Sequence, residues 1–197
     1  MKILAGTLLQ GGLFRTLRRR ARFGPFADLN AARREIAALP ELPPCDLNDF
    51  GRGGEAVRRM TLAALLTAWD AGGLSPETGV IGWNGAGCTA ENRRYWRDYT
   101  DCGREAGRGS LFVATLPTIP YCEAAIALGC RGPVAYFRTA ADTAALAAQL
   151  AACPSGRYLC GEITPDTLCV LLAETDDAPM PHAADLAALF AAREAGS

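Results

Sequence analysis

The chain has 197 residues, half of them apolar and 21% charged, which suits one ordinary domain with a substantial core and excludes a disordered chain. Twenty Lys and Arg against 21 Asp and Glu leave a net charge of −1, so no overall basic charge draws it onto nucleic acid. The apolar run Ile3 to Leu9 is followed by Gly11-Gly12 and then by Arg15 and Arg18-Arg19-Arg20, without the order of charge, apolar run and cleavage site that a signal peptide needs. No run of about 18 apolar residues is present, so the sequence predicts no membrane span and a cytoplasmic protein.

In chain order, Ile3 to Leu9 is expected to be a buried strand ending at Gly11-Gly12. Residues 13–50 read as an irregular insertion, with one helix over Leu29 to Leu39 before Pro40, Pro43 and Pro44. Arg18-Arg19-Arg20 reads as a solvated face. From Glu55, apolar residues at three- and four-residue spacing (Val57, Met60, Ala64, Leu65, Ala68) predict a helix stopped by Gly72-Gly73. Thr78 to Trp83 is a strand, Gly85 to Gly87 a tight turn, and Glu91 to Tyr99 an amphipathic helix. Thr118 and Pro120 mark the start of a helix over Tyr121 to Leu128.

Val134 to Phe137 is then a strand, and Thr139 to Ala152 a helix. Arg157 to Ile163 with Thr167 to Ala173 forms a hairpin across Thr164-Pro165-Asp166. Ala183 to Ala192 closes the chain as a helix within the C-terminal piece 176–197. Strands alternating with helices predict an α/β layer structure in one domain, its sheet covered by helices on both faces.

Eight cysteines contain no C-x-x-C spacing, and His182 is the single histidine, so neither a zinc site nor a cofactor is expected. Gly82 to Gly87 lacks the spacing and the Lys-Ser/Thr of a phosphate loop.

Three segments, in fixed order, carry a resemblance. Arg58-Arg59-Met60 opens a helix that runs to Asp70-Ala71-Gly72, of the form R-R-M-D…A-L-x-A-A…D-A-G. Val80-Ile81-Gly82-Trp83-Asn84-Gly85 follows, similar to G-V-V-V-G-T-G. The run Thr115 to Pro133 (TLPTIPYCEAAIALGCRGP) follows N-T-L-P-N-x-P-A-x-E-I-A-I-x-x-G-L-R-G-P along its length. Together they resemble the N-terminal half of a β-ketoacyl synthase, of the thiolase-like superfamily, over about residues 1–175.

The resemblance implies a mixed five-stranded sheet in each of two halves packed face to face. A nucleophilic cysteine stands at a helix N-terminus in the first half, and two histidines and a lysine come from the second. A helix N-terminus lowers a thiol's pKa and offers N–H groups to an oxyanion. Here Gly132-Pro133 leads through Val134-Ala-Tyr-Phe-Arg-Thr-Ala to Ala141 where that cysteine falls, and a methyl cannot form an acyl thioester. Neighbouring Thr139, Ala140 and Asp142 supply no thiol, and the chain offers no counterpart to the histidine-bearing half.

Outside candidates for reactivity are Cys88, after the Gly85–Gly87 turn, and Cys122, near a helix start; packed thiols are the plainer reading of both. The resemblance places Val134, Tyr136 and Arg138 on a strand that continues the sheet into a second subunit. Half of a two-halved fold also leaves an apolar face for the C-terminal helix, the 13–50 segment, a second copy or a synthase subunit to cover.

The expectation is therefore a non-catalytic synthase-like partner or scaffold in a fatty-acid- or polyketide-like pathway. It would form a homodimer, or a heterodimer with a ketosynthase, with an acyl carrier protein as a further partner. The alternatives are an acyltransferase or condensing enzyme completed by a second chain, and an acyl-chain binding module using the cleft near Ala141.

Overall fold

A computed structural model describes residues 1–50, 54–103, 109–175 and 182–196. The apolar start forms β1 (Lys2–Gln10), from which Gly11 and Gly12, at φ of 56° and 77°, turn the chain back into β2 (Leu13–Thr16). Both central residues of this two-residue turn have positive φ, a conformation glycine takes without steric penalty. A short β3 (Arg22–Phe23) pairs with β2 through Phe14 and Phe23.

The 13–50 segment is thus not irregular. It extends the sheet by two strands and adds α1 (Leu29–Ala37), whose N-cap Asp28 accepts from the N–H groups of Asn30 and Ala31. Strands of four and two residues leave no alternation to read; they exist because β1 offers them an edge.

Helix α2 (Gly54–Ala71) is buried almost continuously from Met60 to Asp70, as a helix apolar on most sides must be. After it come β4 (Gly79–Trp83), α3 (Thr89–Asp101), α4 (Gly109–Val113), α5 (Ile119–Ala127) and β5 (Val134–Phe137). The chain ends with α6 (Thr143–Ala152), β6 (Arg157–Ile163), β7 (Thr167–Glu174) and α7 (Leu186–Ala195). Thr118 holds the N-cap position of α5 without a side-chain hydrogen bond, and Pro120 lies in its first turn. Residues 176–181, part of the expected C-terminal piece, lie outside the described residues.

The sheet is mixed and has seven strands, not five, in the order β3-β2-β1-β7-β6-β4-β5. β4 pairs parallel with both β5 and β6, and every other pair is antiparallel. The two strands beyond five are β2 and β3.

Helices cover both faces. On one side α1, α2 and α5 bury Ile36, Met60, Leu65 and Tyr121 against Val80 and Leu159. On the other, α6 and α7 bury Leu146, Leu189 and Phe190 against Ile81, Cys160 and Leu171. Burial on both faces explains why the central strands read as unbroken apolar runs. The C-terminal helix α7 is therefore what covers the face expected to lie open. Among the described residues, no helix is long and apolar enough to cross a membrane.

Candidate functional site

The strand order sets one crevice. β4 leaves towards β5 on one side while its parallel neighbour β6 leaves towards β7 on the other, so the carboxyl ends of β4 and β6 form a switch point where open α/β sheets bind ligands. Trp83 and Glu162 stand opposite each other there.

Beneath this end, Gly82 and Gly161 are opposed, and both are glycine for want of room. A Cβ on Gly82 would penetrate the Tyr121 ring, and one on Gly161 would lie 2.7 Å from the Met60 methyl. The Tyr121 hydroxyl donates to the Trp83 carbonyl at 2.8 Å, which fixes α5 against β4, and burial pushes the phenol pKa far up.

Ala141, at which the resemblance would place a nucleophile, is fully buried just ahead of α6. α6 starts four residues later than expected because Asp142 takes the N-cap and accepts from the Ala145 N–H at 2.6 Å. The Ala141 N–H donates to Glu162 Oε1 at 2.9 Å, and the Leu186 N–H, at the start of α7, donates to Oε2 at 2.8 Å. Thr143 and Ala183 lock the same junction: the Thr143 N–H donates to the Ala183 carbonyl and the Ala183 N–H to the Thr143 hydroxyl, each at 3.1 Å.

The chain leading into α7 thus lies across the start of α6 and seals Ala141 from solvent. Glu162 is 4% exposed, and burial raises its carboxyl above the usual range against the pull of the two N–H groups. Beside it the buried Trp83 indole N–H has no hydrogen-bond partner, while its ring packs on Phe137 at 5.9 Å.

The cysteine candidates fall elsewhere. Cys88 is buried at the N-cap position of α3 without capping it, and burial pushes its thiol up to about 11. Cys122 is half-buried on α5 and is also raised by burial. Cys160, on the same strand as Glu162, and Cys169, opposite it on β7, are raised for the same reason. His182 is exposed. Among the described residues no group of three or more His, Cys, Asp or Glu is placed to hold a metal ion.

The interface candidates share one edge. β5 pairs only with β4 among the described residues, so its outer side is the free edge of the sheet. Val134 is 39% exposed and Arg138 is exposed. The Tyr136 hydroxyl donates to the Asn84 carbonyl at 2.9 Å, and the Asn84 side-chain amide donates to the Gly87 carbonyl at 3.0 Å, stiffening the turn beside that edge.

Two functional-looking carboxylates were not singled out from the sequence as such. Glu162 had a signal: it is the one acid inside the apolar strand Tyr158 to Ile163, where a charge on a doubly covered strand must be satisfied. Asp70, within the Asp-Ala-Gly motif, accepts N–H bonds from Gly6, Arg18 and Arg19 at 2.7–3.1 Å, so its role is to hold the chain after β2 onto the end of α2.

The fold and this site define an α/β protein with a mixed seven-stranded sheet and a sealed crevice at its switch point. The chain matches no protein-family model, and a search of curated proteins finds no match to it.

Proposed function

We propose that this chain is a non-catalytic relative of the N-terminal half of β-ketoacyl synthases, working through association with other subunits of a fatty-acid- or polyketide-like pathway. The observation that carries this reading is Ala141: a methyl group, fully buried, with its N–H committed to Glu162 and the approach to α7 laid across it. An acyl thioester needs an exposed, activated thiol, and Ala141 is neither exposed nor a thiol. Strands β1, β7, β6, β4 and β5 support the reading further, since within the larger sheet they make a five-stranded mixed unit with helices on both faces.

Association runs through the β5 edge. A free edge strand presents unpaired N–H and C=O groups, and a second copy, or a ketosynthase strand, satisfies them by continuing the sheet. Val134, Tyr136 and Arg138 lie along that edge, and the exposed Arg138 guanidinium then meets an acid of the partner. An acyl carrier protein is a further partner of such an assembly.

Two measurements test this. Incubation with acyl-carrier thioesters, read by intact mass, leaves the chain unmodified; an acyl adduct on any thiol rejects the non-catalytic reading in favour of an acyltransferase. Sedimentation of the chain alone and with a ketosynthase subunit gives a dimer that Val134→Pro dissociates, because proline removes an edge N–H. A monomer under both conditions rejects association through β5.

A further inference from the structure

The segment 13–50 does more than widen the sheet. With the first turns of α2 and one residue of α3 it encloses a cleft of about 650 Å³, within the range of small-molecule sites. This cleft shares no lining residue with the surroundings of Ala141. Its accessible apolar lining is Phe26, Ala27 and Leu29, over Leu9 and Phe14, which are almost wholly buried; the Phe14 and Phe26 rings stand edge to face at 6.1 Å.

The hairpin turn builds that wall. The Phe26 N–H donates to the Gly12 carbonyl at 3.2 Å, an approach that Gly24 permits: at its φ of 98° a Cβ would lie 2.8 Å from the same Gly12 oxygen.

Over this apolar lining stand three guanidinium groups, Arg58 and Arg59 from α2 and Arg94 from α3, against two carboxylates. Asp28 is spent on capping α1, where the N–H groups of Ala31 and Asn30 hold its carboxyl below the usual range. Glu55 reaches Arg59 only at 4.0 Å and is itself 75% exposed, whereas the Arg59 side chain is 20% exposed. Arg94 has no ion-pair partner among the described residues. A largely buried guanidinium with so distant a counter-charge favours an incoming anion, and arginine presents a planar fork that fits carboxylate and phosphate oxygens.

We propose that the cleft binds an amphipathic oxyanion: a carboxylate or phosphate-monoester head held by Arg59 and Arg94, with a hydrocarbon body lying on Phe26 and Leu29. This inference does not depend on the synthase-like reading, because it is argued from the cleft's own residues and uses neither Ala141 nor the β5 edge.

Calorimetric titration with decanoate, decyl phosphate, decanol and inorganic phosphate tests it. At least one of the two anionic amphiphiles binds, and at least tenfold more tightly than decanol or phosphate alone, since losing either the charged contacts or the apolar body costs about a factor of ten or more. Which of the two binds better identifies the head group. Arg59→Gln weakens that binding about tenfold or more, and Arg94→Ala about three- to tenfold. Arg94 is exposed, so its variant keeps the test valid should Arg59→Gln fail to fold. In Phe26→Trp the indole emission shifts on binding, which places the ligand in this cleft. Decanol binding as tightly as both anions, affinity indifferent to both arginine variants, an unchanged Phe26→Trp spectrum, or no binding of any probe at millimolar concentration overturns the proposal.

Discussion

Glu162 is the group on which the sealed crevice turns, and two substitutions separate what it does. Glu162→Ala leaves the Ala141 and Leu186 N–H groups buried without an acceptor. At about 1–3 kcal/mol each, the loss is about 2–6 kcal/mol. For a chain of this size 1 kcal/mol moves the melting temperature by roughly 2–4 °C, so the variant melts at least about 4 °C lower. Glu162→Gln behaves differently, because its amide keeps one acceptor oxygen but sets an NH2, which cannot accept, against the other N–H group. Burial outweighs the two N–H donors and raises the folded-state pKa above the ordinary 4.5. The sign follows: the folded state binds the proton more tightly than the unfolded state, so the stabilisation is full below pH 4.5 and is lost as pH rises through the folded value. Glu162→Gln is therefore less stable than wild type near pH 4 by about 1–3 kcal/mol, the cost of one N–H left without an acceptor, and the gap narrows towards pH 8 as wild type loses the stabilisation of the protonated acid. Urea unfolding of both proteins across pH 4–8 reads this as a difference, which cancels the titration of every other carboxylate. Amide exchange at Ala141 and Leu186 reports the local effect, faster at both in the Ala variant and at one of the two in the Gln variant. A Gln variant that falls further below wild type as pH rises would refute the reasoning, showing that the N–H groups hold an anion whose charge is worth more than its burial costs.

Other expectations are simpler. Asp70→Ala frees three backbone N–H groups and costs about 3 kcal/mol or more in chemical unfolding; a loss below 1 kcal/mol would show that solvent replaces the carboxylate. Gly82→Ala drives a methyl into a tyrosine ring pinned by its hydroxyl, costing about 1–3 kcal/mol, and Tyr121→Leu in the same chain recovers part of that; strict additivity would place the strain elsewhere. Trp83→Phe removes an unpaired buried donor, so its stability change stays within about 1 kcal/mol; a loss above 3 kcal/mol would mean the indole N–H has a partner after all. Iodoacetamide labels Cys102, the exposed thiol, well before Cys88, Cys160 and Cys169, as peptide mapping would show; early labelling of Cys88 would contradict its burial and raised pKa.

The elements legible in the sequence are those whose cause is local. β5 and β6 fall at the expected residues because Val134 to Phe137 and Arg157 to Ile163 are short runs bounded by proline or glycine, and α2 follows from its apolar spacing. β2 and β3 were not legible because pairing is what makes them strands, β2 on the edge of β1 and β3 in turn on β2. The start of α6 moved because Asp142 competes as a cap with the alanines ahead of it, which propensity alone would have drawn into the helix. For the site, it is visible in the residues that position 141 is an alanine and carries no thiol. That the position is also closed is not visible, since closure depends on Ala183 and Leu186, more than 40 residues away, and no periodicity encodes a contact of that range. The arginine cleft was hidden for a similar reason: Arg59 reads as part of the Arg-Arg-Met motif and Arg94 as part of an amphipathic helix, and only the placement of α2 and α3 brings them to one cavity.

Asp70 and Glu162 use the same physical device at opposite parts of the sheet. Each is an acid on a central element, and each accepts backbone N–H bonds from a segment added around that centre: Asp70 from the chain following β2, Glu162 from the starts of α6 and α7. Backbone donors cannot be removed by substitution, so the attachment tolerates drift in the attached segment as long as the single acid remains. The two attachments also divide the molecule's surface. One secures the segment that walls the arginine cleft, and the other secures the helix that covers the apolar face and Ala141. Releasing α7 would expose Leu189 and Phe190 together with the strand face beneath them, an apolar area that favours contact with another protein over contact with water. In the intact chain that face is closed, whereas along the outer side of β5 the hydrogen-bonding groups of one strand stay unpaired among the described residues.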